Sequence, residues 1–318
     1  MTAATDIRTR RGPPREAALD PVFGGLCFGA ATLLLAALSG VVVMLYVGGL
    51  PALTKFGWHF LTSTTWNPVT EEYGAAGPIV GTLVTSFLAL LFSLPLAFGV
   101  AVFLTEFAPR VVRRPIAIAV ELLAGIPSII YGMWGLFVLA PFFAQHVQLP
   151  LMMSAQPGSL QEKLFGGVPN GANIFTASII LAIMILPYMA TVFRELFRSV
   201  PPQLRESAYG LGCTPMEVVW KVLLPFVKRG AIGAVMLGLG RALGETMAVT
   251  FIIGNSHALP KSLFDSGSTI ASTIANEFAE ASTPMHEAAL IALGFLLFAM
   301  TFAVLALARA LLGSQRSA

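Results

Sequence analysis

The sequence predicts an all-α integral membrane protein with six transmembrane helices, because its composition is too apolar for a soluble domain. Of the 318 residues, 56% are hydrophobic and 11% are charged, whereas about 25% of a soluble domain is charged. The hydrophobic residues fall in long blocks without an amphipathic period, which is typical of membrane spans. A bilayer core of about 30 Å needs roughly 20 apolar residues as a helix. The blocks that meet this length are 22–50, 77–105, 115–144, 173–193, 231–254 and 288–308.

The order of these blocks divides the chain into an N-terminal arm, a first helix and one larger domain. Residues 1–20 form a polar arm, and the block at 22–50 follows it. Because the apolar part of a signal peptide is only about 7–15 residues long, we interpret this block as a retained transmembrane helix. A loop at 51–76 separates it from residues 77–312, which hold the other five blocks and a polar, basic segment at 199–230.

The Lys and Arg residues are distributed unevenly between the two sides of the predicted membrane. If the N-terminus is inside, Lys55, Lys163 and Lys261 lie outside, Arg241 lies within a block, and the other fifteen of the 19 lie inside. The positive-inside rule then places both termini and the basic segment in the cytoplasm. We therefore interpret the net charge of +3 as a topology signal rather than a nucleic-acid patch, and the basic arm can also contact anionic lipid.

The cysteines and histidines indicate neither a disulfide nor a metal site. Cys27 falls in the first block and Cys213 in the basic segment, so they are too far apart to pair. The four histidines are scattered over the outer loops without the spacing of zinc ligands. We expect no metal and no cofactor.

The basic segment predicts two helices joined by a glycine elbow. The Pro-Pro pair at 201–202 suits the first turn of a helix, and Gly210 and Gly212 suit its end. Residues 214–217 form a capping box that starts a second helix. We expect this second helix to break near Pro225.

The first of these two helices presents an apolar ridge with polar flanks. Leu204, Ala208 and Leu211 recur at helical spacing, and Arg205 and Glu206 lie beside them. A small ridge of this kind suits insertion into a groove on a partner protein. The alternative is an interfacial helix that lies on the lipid headgroups.

The fifth block contains two charged residues at bilayer depth, where each costs at least about 2.5–3.5 kcal/mol. Arg241 and Glu245 are four residues apart, so a continuous helix places them on one face and lets them pair. Gly240 and Gly244 beside them allow another helix backbone to approach. The functional interpretation is that Arg241 meets an anion in transit, or acts in gating, and that Glu245 neutralises it when the pathway is empty. The alternative is a structural ion pair at a subunit interface.

Several stretches resemble the PstC-type permease subunits of bacterial phosphate-specific ABC importers. Residues 206–225 match the EAA loop of importer permeases (E-A-A, three residues, G, nine residues, I-x-L-P), with Ser207 and Val222 replacing Ala and Ile. The other similar stretches are GTL at 81–83, FLTEFAP at 103–109, ELLAGIPSIIYG at 121–132, MILP at 184–187 and GRALGETMAV at 240–249. The resemblance implies a type I ABC importer (MetI-like) permease core of five helices with an added N-terminal helix.

The resemblance also implies a function and a set of partners. The implied function is the permease subunit of an ATP-driven inorganic phosphate importer in the bacterial inner membrane, forming half of the translocation pathway. The implied partners are a PstA-like permease subunit, a PstB-like ATPase dimer and a PstS-like periplasmic phosphate-binding protein. The chain contains no G-x-x-x-x-G-K-[ST] loop, which predicts that a partner hydrolyses the ATP and that the chain itself is not an enzyme.

The predicted sites form two groups. The pathway or gating residues are Arg241 and Glu245 with the hydroxyls of Ser128, Tyr131 and Thr246, each of which can equally bond a helix backbone. The residues predicted to contact the ATPase are Leu204, Arg205, Glu206, Ser207, Ala208, Leu211 and Gly212. Three other functions stay open: a permease for sulfate or molybdate, a membrane scaffold that relays phosphate status to a signalling kinase, and an ATP-independent secondary carrier.

Overall fold

The computed structural model describes residues 14–156 and 158–313, most of which are helical. The chain begins with a long helix, α1 (Pro14–Phe56), and a short one, α2 (His59–Thr62). An antiparallel hairpin follows, in which β1 (Trp66–Asn67) pairs with β2 (Glu72–Tyr73). The predicted arm at 1–20 is therefore helical from Pro14 onward, and its first thirteen residues lie outside the described range.

The next elements form three of the predicted spans and the connections between them. They are α3 (Ala76–Val102) with a π-helical turn at Phe103–Phe107, α4 (Arg110–Ala124), α5 (Ser128–Trp134), a π turn at Gly135–Leu139, α6 (Ala140–Phe143), a π turn at Ala144–Gln148, α7 (Leu149–Ser154), α8 (Leu160–Phe165) and α9 (Ile174–Arg198).

The last third of the chain contains the basic segment and two further spans. Its elements are α10 (Pro202–Gly210), α11 (Pro215–Val218), a π turn at Val219–Leu223, α12 (Leu224–Leu243), α13 (Met247–Ile252), α14 (Ile270–Glu277) with a 3-10 turn at Phe278–Glu280, and α15 (Pro284–Gly313).

The predicted number of membrane spans is confirmed. Within the described residues, six helical stretches are long and apolar enough to cross a bilayer: Pro21–Phe56, Ala76–Phe107, Ser128–Ser154, Ile174–Arg198, Pro215–Leu243 and Pro284–Ala310. Their order matches the order of the six apolar blocks, so the all-α, six-span fold class holds.

Two of the predicted blocks are wrong as single helices, because the backbone leaves the helix inside them. The block at 115–144 is divided at 125–127, where Pro127 disfavours a helical conformation for the residue before it, and the span begins at Ser128. The block at 231–254 is divided at 244–246, between α12 and α13. Both breaks lie beside predicted site residues.

The helix α9 contacts α3 and α12, and α3 and α12 also contact each other. Aromatic side chains join α3 to α9, since the ring of Phe98 lies edge-on to those of Phe193 and Phe197. A second hydrophobic core joins α1 to α15 and includes Phe60 and Tyr73 at the start of the chain. The added first helix therefore packs against the last span rather than against α9.

The long loop after α13 folds back onto the start of α3. The carbonyl oxygens of His257 and Ser268 occupy the positions that a Cβ would take on Gly77 and Gly81, so only glycine permits this approach. The hydroxyl of Thr82 accepts a hydrogen bond from the Ile270 N–H at 2.9 Å, which fixes the start of α14 against α3. This contact marks one end of the bundle, and the end of α3 marks the other.

Candidate functional site

The segment at 199–230 folds as two helices joined by a glycine elbow, as the sequence predicts. After α10, Gly212 has a φ of +83°, in the left-handed region that glycine adopts without strain. The capping box is also present. The Thr214 hydroxyl accepts from the Glu217 N–H at 3.4 Å, and the Glu217 carboxylate accepts from the Thr214 N–H at 3.0 Å.

The predicted break near Pro225 is wrong. The π turn at Val219–Leu223 joins α11 to α12, so one helical stretch runs from Pro215 to Leu243. A proline ring in a regular helix clashes with the carbonyl one turn earlier, and the wider π turn changes that register. The helix therefore passes through Pro225 without ending.

A buried carboxylate holds α10 against the bundle. Glu106, in the π turn that ends α3, has a side chain only 5% exposed and lies 3.1 Å from Nη1 of Arg205. The contact is an ion pair, since its angles are not those of an aligned hydrogen bond. The Tyr209 hydroxyl donates to Oε2 of Glu106 at 3.1 Å, and Arg205 also donates to the carbonyl of Phe197. Glu106 thus joins the ends of α3, α9 and α10.

Burial and the carboxylate of Glu106, which Arg205 and Tyr209 share, determine the electrostatics of these three residues. Burial raises the pKa of the Tyr209 hydroxyl, and its hydrogen bond to Glu106 raises that pKa further, because an ionised phenol would face a carboxylate. The sequence predicts Arg205 as a polar flank of the apolar ridge. It does not predict that Arg205 pairs with Glu106. The one signal for Glu106 is that it is an acidic residue at the end of an otherwise apolar block.

The predicted apolar ridge is wrong in one member. Leu211 is 86% exposed and Leu204 is 43% exposed, but Ala208 is only 6% exposed, because it faces the main hydrophobic core. Glu206 and Ser207 are exposed between the two leucines. We call the exposed residues Leu204, Glu206, Ser207 and Leu211 the coupling face. Gly212, which is also predicted to contact the ATPase, is exposed beside them.

The second predicted site lies at the break between α12 and α13. The prediction that Arg241 and Glu245 pair on one helix face is wrong, because α12 ends at Leu243 and Glu245 belongs to the break. The carboxylate of Glu245 instead accepts a hydrogen bond from the N–H of Ala248 at 3.2 Å, in the first turn of α13. Arg241 is exposed and has no hydrogen bond or ion pair within the described part of the chain.

The other three predicted pathway residues divide between the two breaks. The hydroxyl of Tyr131 donates to the carbonyl of Leu123 at 2.8 Å, which ties α5 to the end of α4. The hydroxyl of Thr246 lies 3.5 Å from the carbonyl of Gly244, at the limit of a hydrogen bond. Ser128 begins α5, and its hydroxyl has no hydrogen bond to any described residue. Of the two roles left open for Tyr131, the structure therefore shows the one in which the hydroxyl bonds a helix backbone.

The structure brings the two breaks together through the short helices that follow them. An ideal Cβ on Gly132 of α5 would lie 3.0 Å from the Cα of Ala248 in α13, so the two backbones are in close contact. The break before α5 and the break before α13 are therefore close through these two helices. Arg241, with its five N–H donors and without an acidic partner among the described residues, lies at the end of α12 beside the second break, and a guanidinium of this kind is suited to binding an anion.

Comparison with known proteins gives the family. A family model described as "binding-protein-dependent transport system inner membrane component" matches residues 93–316. Phosphate transport system permease protein PstC of Mesorhizobium japonicum is 53% identical over 94% of this chain and 91% of its own length. The PstC of Pasteurella multocida is 54% identical over 86% of both chains, and PstC 2 of Mycobacterium tuberculosis is 41% identical over 98% and 95%.

Solved structures share the fold at low identity. A chain of a bacterial alginate ABC transporter superposes with a TM-score of 0.60 at 16% identity, covering 93% of this chain and 95% of that one. A chain of the MetNI methionine ABC transporter in an inward-facing conformation gives 0.52 at 20% identity, covering 73% and 94%. The fold is thus that of a type I ABC importer permease, and the chain belongs to the PstC-type branch of the binding-protein-dependent transport system inner membrane components.

Proposed function

We propose that this chain is the permease subunit of an ATP-driven importer of inorganic phosphate and forms half of its translocation pathway. The observation that carries the proposal is the identity of 53% to a phosphate transport system permease over 94% of the chain. The exposed Arg241, without an acidic partner among the described residues, supports it independently, because a guanidinium binds the oxygens of a phosphate in a bidentate manner.

Arg241 and Glu245 have separate roles in this proposal. Arg241 offers its positive charge to the anion, and it does so without first breaking an ion pair. Glu245 holds the first turn of α13 through the N–H of Ala248. Its function is therefore to position the break between α12 and α13.

The proposed partners follow from the coupling face and from the open side of α12. The coupling face binds a PstB-like ATPase dimer, which supplies the ATP hydrolysis that this chain does not perform. Near Gly240 the closest side-chain atom is Cδ1 of Leu305, 3.6 Å from an ideal Cβ, and no described helix backbone approaches Gly240 or Gly244 from outside α12. That side of α12 suits a PstA-like permease subunit.

The remaining partner and the orientation complete the proposal. A PstS-like binding protein delivers phosphate to the end that carries α14 and the hairpin. Both termini and the coupling face lie in the cytoplasm of a bacterial inner membrane, in agreement with the distribution of Lys and Arg.

The substrate is tested by uptake into proteoliposomes that contain the four-component complex. We expect ATP-dependent uptake of radioactive phosphate that excess unlabelled phosphate blocks and excess sulfate or molybdate does not. Uptake blocked by sulfate and insensitive to phosphate would assign the chain to another oxyanion. ATP-independent uptake would assign it to the secondary carriers.

The role of Arg241 is tested by Arg241→Gln, with Arg229→Gln as the matched control. Both residues are exposed on α12, and both substitutions remove one positive charge. We expect Arg241→Gln to lower phosphate uptake at least tenfold, roughly the loss of one charge-assisted hydrogen bond, while the ATPase still co-purifies. Equal uptake by the two variants would reject the pathway role and favour the scaffold that relays phosphate status to a kinase.

A further inference from the structure

A cavity rich in arginine lies between α4 and the end of α9, away from both sites described above. Its volume is ≈ 410 Å³. The charged residues that line it are Arg110, Arg113, Arg114, Glu121, Arg194 and Arg198. Ala117 and Ile118 of α4 complete the lining, so the cavity has an apolar edge beside its charged wall.

The acidic residues near the cavity are already engaged by the arginines of α9. Arg194 is buried and lies 2.6 Å from the carboxylate of Glu121 and 3.2 Å from that of Glu195. Arg198 lies 3.2 Å from the same Glu195 oxygen. These two arginines therefore balance the two carboxylates, and they add no net charge to the cavity.

The arginines of α4 are different, because no acidic side chain among the described residues compensates them. Arg113 donates through Nη2 to the carbonyls of Thr105 and Ala108 at 3.3 and 3.2 Å, while its Nε is buried without a hydrogen-bond partner. Arg110 and Arg114 make no hydrogen bond or ion pair within the described part of the chain. The positive end of the α4 dipole also lies at Arg110. The cavity therefore holds three uncompensated guanidinium groups.

A topology signal alone does not explain this arrangement. Basic residues that orient a membrane protein need only lie in the loops on one side. Here five arginines from two helices line one cavity, and the buried Nε of Arg113 lacks an acceptor. The three guanidinium groups of α4 that no acidic side chain compensates repel one another, and a bound anion relieves that repulsion.

We propose that this cavity binds a phosphate-bearing anion. The planar guanidinium donors of Arg110 and Arg114 match the oxygens of a phosphate group. Arg113 adds its positive charge, because its Nη2 already bonds two carbonyls and its Nε is buried. The cavity lies at the same end of the bundle as the coupling face, since Arg113 bonds Thr105 next to Glu106, the residue that holds α10.

The phosphate group can come from two sources. One is the headgroup of an anionic phospholipid. On α4, Val111 and Leu122 are 83% and 69% exposed, which suits acyl chains beside the charged wall. The other source is inorganic phosphate in the water at this end of the bundle, where it would report the concentration of the anion there.

The test compares Arg110→Gln/Arg114→Gln with the control Arg229→Gln/Arg309→Gln. Each double variant removes two exposed arginines, but Arg229 and Arg309 do not line the cavity. The membrane-bound complex of permease and ATPase subunits is reconstituted, without the soluble phosphate-binding protein, in nanodiscs of phosphatidylcholine alone or with one-fifth phosphatidylglycerol. Retained phosphatidylglycerol is measured by native mass spectrometry, and binding of inorganic phosphate is measured by calorimetry in the phosphatidylcholine discs.

We expect wild type and control to bind one of the two probes, and the cavity variant to bind it at least tenfold more weakly, roughly the loss of one charge-assisted hydrogen bond. Retention of phosphatidylglycerol assigns a lipid site, and calorimetric binding lost in the cavity variant assigns a site for free phosphate. Binding of neither probe, or equal binding by both double variants, overturns the proposal. If the double variant does not assemble, Arg114→Gln alone is compared with Arg229→Gln on the same criteria.

Discussion

Glu106 and Glu277 each tie several segments together, at opposite ends of α3, but their partners have different chemistry. Glu106 is held by Arg205 and Tyr209 of α10. Glu277, the last residue of α14, lies 2.8 Å from Nε2 of His257 and 2.9 Å from Nε2 of His286. It also accepts a hydrogen bond from the indole N–H of Trp66 at 2.7 Å.

The difference lies in the donors that face each carboxylate. Glu106 faces the guanidinium of Arg205, which carries a permanent positive charge. Burial acts to raise the pKa of Glu277, but hydrogen bonds from His257, Trp66 and His286 outweigh it, and the pKa lies below its ordinary value. One end of the bundle is thus held by a guanidinium, and the other by two imidazoles and an indole that stabilise a charged carboxylate.

The largest expected effect is at Glu106. Glu106→Ala leaves Arg205 without its carboxylate, and we expect the free energy of unfolding in mixed micelles to fall by about 3 kcal/mol, the scale of breaking a buried pair. The matched control is Glu71→Ala, since Lys55 and Glu71 pair with side chains 44% and 41% exposed and such surface pairs contribute about 0–1 kcal/mol. Equal effects at the two positions would contradict the description of Glu106 as a buried clamp.

The next effect is at the end of the bundle that contains Glu277. Glu277→Gln keeps an acceptor for Trp66 but removes the charge that both histidines face, and we expect a loss of about 2 kcal/mol at pH 7, the scale of a hydrogen bond to a charged group. The measurement is the unfolding free energy of wild type and variant. Glu280→Gln in the neighbouring 3-10 turn serves as the control, because Glu280 is exposed.

Wild type and Glu277→Gln also test how the free energy of unfolding depends on pH. The folded-state pKa of Glu277 lies below the ordinary value of 4.5, so its contribution is present above that value and is lost as the pH falls through the folded-state pKa. We expect the gap between wild type and Glu277→Gln to narrow in acid. A gap that is constant from pH 7 to pH 3 would show that the carboxylate charge contributes nothing.

A smaller effect is expected at the glycine elbow between α10 and α11. Gly212→Ala places a Cβ on a left-handed residue, at a cost of about 1–2 kcal/mol, although the space around it is open. Gly210→Ala is the control, since Gly210 is also open but helical. We expect only Gly212→Ala to weaken co-purification of the ATPase.

The smallest effect is at Tyr209. Tyr209→Phe removes one hydrogen bond to Glu106 while Arg205 remains, and we expect a loss of about 0.5–1 kcal/mol. Combined with Glu106→Ala it should add almost nothing, because the acceptor is already gone. Additive losses in that double-mutant cycle would show that Tyr209 stabilises α10 through another contact.

The sequence predicts the elements whose cause is local. Six blocks of sufficient length give six spans, and the Thr214–Glu217 pair gives the capping box that the structure contains. Gly212 takes the positive φ that ends a helix and starts an elbow. For these features, length, hydropathy and the conformational freedom of glycine are sufficient.

The features that the sequence does not predict have their cause elsewhere in the fold. Residues 240–249 contain no proline, so the break at 244–246 is not signalled locally; the contact between Ala248 and Gly132, more than a hundred residues away, accompanies it. Ala208 leaves the apolar ridge because it packs on the core. Glu106 and Arg205 are likewise distant in sequence, and their pairing depends on how α3 and α10 meet.

The uninterrupted stretch from Pro215 to Leu243 has a mechanical consequence. Its 29 residues form a rod roughly 40 Å long at the rise of an α-helix. The coupling face lies just before one end, across the elbow at Gly212, and Arg241 lies at the other. On the proposed function, we expect a tilt imposed at Pro215 to displace the guanidinium of Arg241, since both lie on this one helical stretch. Such a lever needs no side chain that spans the distance between the two sites.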